Sequence, residues 1–299
     1  MLVTYILLCY NQENFIGSAI ESIINQNYKE IEIIVSDDCS TDKSWNAISN
    51  MSQKNNIKIT KTKKNIGLIG NINHALTLAT GDIIIFMGGD DISEPNRTQI
   101  TVDYFKKHLN VYGLYSSTID IDHNGVEIKN SNYGLKYYNR NGNMNINSHL
   151  LNDLGMLGCS AAYRACLLEK PLPDLLPSED KVLTLRALIK GEVGFINKKL
   201  VRYRLGTGIS NNLNKKNISE YIKIIKSRIR TIDGYISELY ISKNINTIKL
   251  EKQKKFLISI LSILDAKKHT LPKYFFDFEN ISLRDKIRFL YYRYLTPLK

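Results

Sequence analysis

Two adjacent aspartates, Asp90 and Asp91, directly follow the apolar run "DIIIF" and two glycines. Adjacent like charges repel each other, and the glycines give up side-chain packing where a buried strand is predicted to end. Carboxylate oxygens suit a divalent cation such as Mg²⁺ or Mn²⁺, whose other ligands can be phosphate oxygens of a substrate. The pair therefore predicts a cation site. The alternative from these residues alone is a turn in which an aspartate caps the next helix.

A second acidic pair, Glu179 and Asp180, follows Ser178, which is placed to cap a predicted helix. A carboxylate held beside a substrate can act as a general base. Acids in a first helical turn are also favoured by the helix dipole without any catalytic role. Asp38 could likewise cap a helix and Tyr10 could belong to the core, so the residues alone leave these alternatives open.

Motifs for several other chemistries are missing from the sequence. It has no G-x-x-x-x-G-K-[ST] loop, no G-x-G-x-x-G segment and no H-E-x-x-H pair. Their absence argues against P-loop, dinucleotide and zinc-hydrolase sites. The segment "GCSAA" (158–162) lacks the final glycine of the G-x-S-x-G nucleophile elbow, which argues against a serine hydrolase.

The elements that must position these acids alternate between strand and helix over the first 110 residues. Between the apolar runs, which predict strands, apolar residues recur at helical spacing and predict helices. Ser40 or Thr41 could cap the second of these helices. This order predicts an α/β fold with a mainly parallel sheet flanked by helices. Ligands of such sheets bind beyond the carboxyl ends of the strands, where "CYNQEN", "SDDCS" and "GGDDIS" fall. The predicted strands are 2–8, 31–36, 57–60 and 81–86.

The predicted elements are less regular beyond residue 110. The segment 130–149 is rich in Asn and Gly and predicts a mobile loop. A helix after Ser178 precedes two predicted short strands, "VGFI" and "LVRYRL". From about residue 217, isoleucines recur at helical spacing with Lys and Arg between them, which predicts helices.

Charge is distributed unevenly along the chain. Residues 1–210 contain 22 Lys and Arg against 21 Asp and Glu, whereas residues 211–299 contain 19 against 8. A basic helical region with aromatic residues such as "FLYYRY" (289–294) suits docking to an anionic membrane surface. A helix with a solvated Lys-rich face is the alternative. No recognition motif accompanies the charge, so nucleic acid is not an expected partner.

Composition sets the broad class of the protein. The chain has 299 residues, 43% of them apolar, but no apolar run approaches the roughly 18–20 residues that span a bilayer. The start lacks a basic segment and a cleavage site, so it is interpreted as a strand and not as a signal peptide. The four cysteines form no C-x-x-C pair, which indicates reduced thiols in a cytoplasmic protein.

The segments "YILLCYNQENFIGSAIESIINQNYKEIEIIVSDDCSTDKS" and "NIGLIGNINHALTLATGDIIIFMGGDDISEPNR" resemble the family 2 glycosyltransferases, which have the GT-A fold. The matching features are an opening strand with Tyr-Asn, a D-D-x-S strand end, an N-x-G segment, an Asp-Asp strand end and a later Glu-Asp helix. The resemblance implies a GT-A, Rossmann-like catalytic domain at 1–210. Its nucleotide-sugar-binding half is 1–110, its acceptor-side half is 111–210, and a helical basic region follows at 211–299.

The resemblance also implies roles for single residues. Asp180 matches the catalytic base, and Asp91 with Asp90 matches the motif that holds Mn²⁺ or Mg²⁺. Asp38 matches the residue that hydrogen-bonds the uracil. The positions implied to bind the nucleotide are Tyr10, Asn11, Glu13, Asp38, Asn65 and Asp90, and those implied on the acceptor side are Glu179, Ser160 and Arg204.

The sequence departs from the family pattern at two glycines. Gly88 stands where many members have a further aspartate, so the cation site is expected to use two carboxylates. Gly206 stands where the Tyr-Arg-x-His segment of the family often has its histidine. Because glycine has no side chain, position 206 is not expected to supply the ligand for the metal or the diphosphate that this histidine can provide.

The resemblance implies an inverting transferase of bacterial cell-surface polysaccharide synthesis, such as O-antigen or capsule. It would move a hexosyl or N-acetylhexosaminyl group from a nucleotide donor, expected to be a UDP-sugar, to a hydroxyl of a saccharide or lipid-linked saccharide. We expect it in the cytoplasm, with peripheral attachment to the inner face of the cell membrane as an open question. The alternative is a non-catalytic nucleotide-sugar-binding or interaction protein on the same fold. A nucleotidyltransferase would show a Gly-rich, Arg-containing loop in place of "CYNQEN".

Overall fold

The computed structural model describes most of the chain, and its residues fall into two compact units, Met1–Asn212 and Leu213–Lys299. The predicted mobile loop at 130–149 lies largely outside the described part, and the aromatic segment 289–294 lies wholly outside it. The described residues are 1–129, 131, 144–152, 155–174, 176–207, 218–242 and 247–266.

A single mixed sheet forms the centre of the first unit. In chain order, its strands are β1 (Val3–Cys9), β2 (Ile31–Asp37), β3 (Lys58–Lys61), β4 (Ile83–Gly88), β5 (Ile92–Ser93), β6 (Val111–Ile121), β7 (Ala162–Arg164) and β8 (Glu192–Arg204). Their spatial order is β3-β2-β1-β4-β7-β6-β8-β5. Strands β3, β2, β1 and β4 are mutually parallel, as predicted from their apolar runs.

The other half of the sheet is mixed. Strand β7 runs antiparallel to both β4 and β6, and β5 runs antiparallel to β8. Strands β6 and β8 are parallel and pair along most of their length. The α/β fold with a helix-flanked sheet is therefore confirmed, and the antiparallel pairings lie beside the predicted parallel half.

Helices cover both faces of the sheet, because the apolar strand residues leave no face for water. In β1, Tyr5, Ile6 and Leu7 are all fully buried although their side chains alternate between faces. Helix α1 buries Ile16 and Ile20 against this core, at the predicted spacing. The helices of this unit are α1 (Ile16–Ile24), α2 (Ser44–Lys54), α3 (Gly67–Leu76), α4 (Arg97–Lys107), α5 (Ile146–Asn152) and α6 (Glu179–Lys190), with 3₁₀ turns at Gly158–Ser160 and Ala165–Leu167.

Two local predictions were wrong. Helix α2 begins at Ser44, because the Ser40 hydroxyl binds the carboxylate of Asp37 and accepts a hydrogen bond from the main-chain N–H of Asn11. The two short strands "VGFI" and "LVRYRL" are one strand, β8. It stays paired with β6 across the polar residues between them through register shifts around Ser117.

The second unit contains two described helices, α7 (Ile218–Ser242) and α8 (Ile248–Ala266), which contact each other. Ile225 and Ile232 are buried, as the predicted apolar face of α7 requires. No helix in the described part of the chain is long and apolar enough to cross a membrane.

Candidate active site

Asp90 and Asp91 lie in the tight turn between β4 and β5, at the carboxyl end of β4. Their exposed fractions are only 7% and 3%. A Cβ atom on Gly88 would lie 2.7 Å from Asp90 Oδ1 and 3.5 Å from Asp91 Oδ2. Both carboxylates therefore border the space that the missing side chain of Gly88 leaves open.

The two carboxylates differ in their hydrogen bonds. Asp91 Oδ1 accepts a hydrogen bond from the main-chain N–H of Arg204 at 3.0 Å, and Asp90 Oδ2 accepts one from Thr207 Oγ1 at 2.7 Å. Burial, followed by the negative charge of Asp90, raises the pKa of Asp91 well above its usual range. The Arg204 N–H bond and the positive charges of Arg97 and Arg204 only partly offset this. A bound cation would relieve the repulsion within the pair.

The donor set of this turn fits a small divalent cation. Two carboxylates facing one space are hard oxygen ligands of the kind that Mg²⁺ and Mn²⁺ prefer. Among the described residues, no group of three or more His, Cys, Asp or Glu side chains is placed to hold a metal ion. The remaining ligands would then be water or diphosphate oxygens, which is usual for Mg²⁺ beside a nucleotide.

Arg204 lies beneath the Asp90–Asp91 turn and not at a surface open to an acceptor. It is 4% exposed, its Nε donates to the carbonyl of Asp90, and one terminal nitrogen donates to the carbonyls of Asp122 and His123. The guanidinium also stacks 4.6 Å from the ring centroid of Phe15. These contacts support the turn that carries the aspartates, and the acceptor-side role implied for Arg204 stays a prediction.

Arg97, the first residue of α4, is a site residue that the sequence reasoning missed. It is 1% exposed and donates to the carbonyls of Cys159 and Ala161 at 3.2 and 3.4 Å. Its other terminal nitrogen has no hydrogen-bond partner in the described part of the chain. An arginine at a helix N-terminus, where the helix dipole disfavours a cation, was the available signal.

The carboxylate of Asp38 holds the segment that leads into α3. Its Oδ1 accepts hydrogen bonds from Ile66 N at 2.9 Å and Thr62 Oγ1 at 3.0 Å, and its Oδ2 accepts one from Gly67 N at 2.8 Å. A carboxylate offers about four acceptor positions, so roughly one remains for a ligand. Asp38 thus caps the start of α3. The remaining acceptor position is available for the implied hydrogen bond to uracil.

The other residues implied to bind the nucleotide surround the ends of β1 and β2. Tyr10 is 41% exposed at the end of β1. Asn11 has a φ of 53°, and its side chain accepts a hydrogen bond from Thr41 N at 2.9 Å. Glu13 accepts one from Lys43 N at 2.8 Å. These contacts join the segment after β1 to the segment after β2, at the edge of the sheet where the ligand site was predicted.

Asn65 lies close to Asp38. Its Oδ1 accepts a hydrogen bond from Gly67 N at 3.1 Å, the same N–H that donates to Asp38. Gly67 has a φ of 78°, a left-handed conformation that glycine adopts without strain. The N-x-G segment therefore turns sharply and leaves the exposed Asn65 beside Asp38.

Asp180 lies at the start of α6 with one carboxylate oxygen engaged. Ser178 occupies the N-cap position as predicted, but its hydroxyl donates to Asp180 Oδ1 at 2.5 Å and makes no cap bond to the main chain. The N–H of Lys181 donates to the same oxygen at 2.9 Å. No described residue donates to Oδ2, which leaves that oxygen able to meet a substrate proton.

Glu179 is buried beside Asp180. Burial and then the charge of Asp180 raise the pKa of Glu179 to about 7. A Cβ atom on Gly158 would lie 3.0 Å from Glu179 Oε1 and 4.0 Å from the carboxyl carbon of Asp180. The 3₁₀ turn at Gly158–Ser160 therefore lies directly against the acidic pair.

Ser160 does not present its hydroxyl to an acceptor. It is 4% exposed. Its Oγ donates a hydrogen bond to the carbonyl of Ser116 at 2.9 Å and accepts one from the main-chain N–H of Ser116. These bonds fix the turn to β6, and the acceptor-side role implied for Ser160 stays a prediction.

The same turn lies near the aspartates of the β4 end. Burial, and then mainly the negative charge of Asp91, raises the pKa of the Cys159 thiol well above its usual range. The Cys159 carbonyl also accepts a hydrogen bond from Arg97. The turn thus links the surroundings of Asp91 to the Glu179–Asp180 pair.

Residues 4–170 match the family described as glycosyl transferase family 2. The chain belongs to glycosyltransferase family 2. This match covers both the β4 end and the turn at Gly158–Ser160, so most of the geometry described above lies within the family region.

Relatives in the family match different shares of the chain. The Escherichia coli UDP-Glc:alpha-D-GlcNAc-diphosphoundecaprenol beta-1,3-glucosyltransferase WfaP is 29% identical over 242 residues, which is 76% of this chain and 86% of that protein. Three other glycosyltransferases, 30–37% identical over 121–129 residues, are matched over only 38–45% of their own length. The chain thus spans less than half the length of those three relatives.

Solved structures of proteins that bind nucleotide sugars share the fold. S. aureus TarS in complex with UDP-GlcNAc has a TM-score of 0.61 at 18% identity, covering 97% of this chain and 80% of TarS. The mannosyltransferase PcManGT from Pyrobaculum calidifontis, in complex with GDP-Man and Mn²⁺, has a TM-score of 0.58 at 16% identity, covering 88% and 73%. At such identities the likeness shows the fold.

Proposed function

We propose that this family 2 glycosyltransferase moves a sugar from a UDP-sugar donor to a hydroxyl of a saccharide acceptor, with inversion at the anomeric carbon. The observation that carries the proposal is the presence of two acidic pairs in one fold, of which Asp90, Asp91 and Glu179 are buried and Asp180 is partly exposed. Asp90 and Asp91 follow the end of β4, Glu179 and Asp180 begin α6, and the Gly158–Ser160 turn contacts the second pair and lies near the first.

Asp90 and Asp91 are the residues that would hold Mn²⁺ or Mg²⁺. Such an ion supplies positive charge that stabilises the departing diphosphate. The two carboxylates facing the space beside Gly88 support this assignment, as does the Mn²⁺ in the complex of the mannosyltransferase with the same fold.

The donor nucleotide is proposed to lie along the ends of β1, β2 and β4. Tyr10 would pack on the base and the remaining acceptor position of Asp38 would meet the uracil, with Asn65 beside it. Asn11 and Glu13 would shape the ribose side, and Asp90 would contact the ribose. The UDP-GlcNAc in the TarS complex supports a uridine donor on this fold.

Asp180 is proposed to be the general base. The acceptor oxygen forms a bond to the anomeric carbon while its proton passes to the free oxygen of Asp180. The bond between that carbon and the diphosphate oxygen breaks, and its electron pair leaves with the UDP. One displacement from the opposite face inverts the configuration. Ser178 and the N–H of Lys181 hold the other oxygen of Asp180 in place.

A lipid-linked saccharide is the acceptor class that we favour. The name of WfaP describes transfer to a sugar on diphosphoundecaprenol, and WfaP matches 76% of this chain. Exposed lysines of the second unit, including Lys223, Lys226, Lys252 and Lys255, are suited to anionic headgroups. We therefore propose peripheral attachment at the inner face of the membrane, in polysaccharide synthesis of the O-antigen or capsule kind.

UDP release from a panel of UDP-sugars, with Mn²⁺ and saccharide-diphosphate-lipid acceptors, tests the reaction. We expect release with one donor and acceptor pair, and Asp180→Asn should lower it by about 10²- to 10⁴-fold while UDP affinity persists. Asp103→Asn, at an exposed aspartate of α4, is the matched control and should release UDP normally. UDP-sugar binding without release from any pair would favour the non-catalytic alternative. Normal release by Asp180→Asn would show that Asp180 is not the base.

A further inference from the structure

Each aspartate of the turn after β4 has one oxygen held by a hydrogen bond and the other beside Gly88. For Asp90, Oδ2 accepts a hydrogen bond from Thr207 Oγ1 at 2.7 Å, and Oδ1 lies 2.7 Å from where a Cβ on Gly88 would be. For Asp91, Oδ1 accepts one from the main-chain N–H of Arg204 at 3.0 Å, and Oδ2 lies 3.5 Å from the same Cβ position. One oxygen of each carboxylate therefore borders a common space.

Both hydrogen-bond donors come from the chain segment at the end of β8. Arg204 is the last residue of β8, and pairing with β6 fixes its main-chain N–H. Gly206 has a φ of 88°, a left-handed conformation that glycine adopts without strain, and Thr207 follows it. The support of Asp91 is thus a main-chain group, whereas the support of Asp90 depends on the side chain at position 207.

The bond from Thr207 constrains a carboxylate that has little contact with water. Asp90 is only 7% exposed, and Thr207 is partly exposed. A hydroxyl that donates to an ionised carboxylate forms a charge-assisted bond, which is stronger than a bond between neutral groups. With Oδ2 held in this way, Oδ1 is kept at the space beside Gly88. Hydrogen bonds of this kind orient carboxylates that bind metal ions.

We propose that Thr207 is a positioning residue for the cation: its hydroxyl holds Oδ2 of Asp90 so that Oδ1 faces the ion. This role rests on the proposed cation site at Asp90 and Asp91. Without the hydroxyl, the Asp90 side chain is free to rotate and must be fixed when the ion binds, so the ion binds more weakly. The nucleotide contacts proposed at the ends of β1 and β2 do not involve Thr207 and are unchanged.

The variant Thr207→Val removes the hydroxyl and keeps a side chain of similar shape. Calorimetric titration of UDP at a series of Mn²⁺ concentrations tests the role. We expect the Mn²⁺ concentration at the midpoint to rise by about tenfold, as is typical when a bond that supports a metal ligand is lost. UDP affinity and Tm at saturating Mn²⁺ should equal those of the wild type, because additional ion restores the same bound state.

Two further variants separate the hydroxyl from other effects of substitution. Thr207→Ser keeps the hydroxyl and loses only the methyl group, so it should retain the Mn²⁺ midpoint of the wild type. Thr77→Val is the matched control, because Thr77 is exposed after α3 and its hydroxyl donates to the carbonyl of His74 at 2.7 Å. It should also retain the midpoint of the wild type.

An unchanged Mn²⁺ midpoint in Thr207→Val would overturn this role. So would an equal loss in Thr207→Ser, or weaker UDP binding and a lower Tm that persist at saturating Mn²⁺, because that pattern indicates a structural role. Asp91→Ala, measured in parallel, distinguishes the two proposals. If Asp91→Ala keeps the UDP binding and Mn²⁺ midpoint of the wild type, the proposed cation site is wrong. If Asp91→Ala loses binding while Thr207→Val behaves as the wild type, only the role of Thr207 is contradicted.

Discussion

At the scale of single residues, the site combines carboxylates with the absence of a side chain. Gly88 has no side chain, and the carboxylates of Asp90 and Asp91 both border the space that this leaves. An aspartate side chain at position 88 would need that same space. The proposed cation site therefore has two carboxylates. Thr207 holds Asp90 and the main-chain N–H of Arg204 holds Asp91 by hydrogen bonds.

Gly88→Ala should weaken cation-dependent binding of UDP by about tenfold. The added Cβ would lie 2.7 Å from Asp90 Oδ1, so the carboxylate must move. Calorimetry of UDP with Mn²⁺ measures the loss. Gly17→Ala is the matched control: it has open space in α1 and should stabilise that helix by up to about 1 kcal/mol with unchanged UDP affinity. Equal UDP affinity for the wild type and Gly88→Ala would contradict the placement of the cation beside Gly88.

The acids could be predicted from sequence, but their supports could not. Asp90, Asp91 and Asp180 follow recognisable strand and helix boundaries, so their positions follow from local pattern. Arg97 is buried through contacts with residues distant in the sequence, and burial of a polar group leaves no periodic pattern. Arg204 and Ser160 were assigned to the acceptor side through the family resemblance, and the pattern of the sequence did not reveal that both bond to the main chain.

At the scale of elements, strands were easier to predict than the points where elements begin. Strands β1, β2 and β4 were predictable because each is a continuous apolar run buried on both faces. The start of α2 was not, since a serine near a helix can bind a tertiary partner, as Ser40 does with Asp37. The single strand β8 crosses polar residues because its pairing with β6 tolerates a bulge.

Glu32, in β2, bonds to β1, to β3 and to the segment before β4, at the end of the sheet opposite the site. Its carboxylate accepts hydrogen bonds from Thr4 in β1 and from Lys58 in β3, each at 2.5 Å, and from Thr80 N before β4 at 2.9 Å. Burial alone would raise the pKa of Glu32, but these bonds outweigh it and lower the pKa to about 2. The ionised form is therefore stabilised by folding.

Glu32→Gln should lower the free energy of unfolding by about 2–3 kcal/mol at pH 7. A carboxyl with a lowered pKa contributes stability above its unfolded value of 4.5 and loses it as pH falls toward about 2. The difference between wild type and variant should therefore shrink from pH 4.5 to pH 2. Denaturant unfolding at several pH values measures it, and a difference independent of pH would refute the ionic contribution.

At the scale of the whole molecule, the charge is concentrated in one unit. Residues 1–210 are nearly neutral, while residues 211–299 carry 19 Lys and Arg against 8 Asp and Glu. Helix α8 exposes Ile248 and Ile258 together with Lys252 and Lys255. Apolar and basic residues exposed on one helix suit an interface with anionic lipid.

Full-length protein should co-sediment with vesicles that contain phosphatidylglycerol, and less so as salt is raised. Changing Lys223, Lys226, Lys252 and Lys255 together to Glu should weaken binding at least about 100-fold, since each basic residue near the surface contributes about 1 kcal/mol. Changing the exposed Lys106 and Lys107 of α4 to Glu is the control and should have little effect. Equal binding by the wild type and the fourfold variant would exclude this surface as the membrane contact.

Buried carboxylates at the end of β4 are proposed to bind a uridine nucleotide through a divalent cation. Calorimetric titration of UDP into the full-length protein, with and without Mn²⁺, tests this proposal. We predict binding that requires Mn²⁺ in the wild type and is lost in Asp91→Ala, with Tm of the variant unchanged or higher because a buried, repelled carboxylate has been removed. UDP binding that is equal with and without Mn²⁺, or that survives unchanged in Asp91→Ala, would contradict the claim.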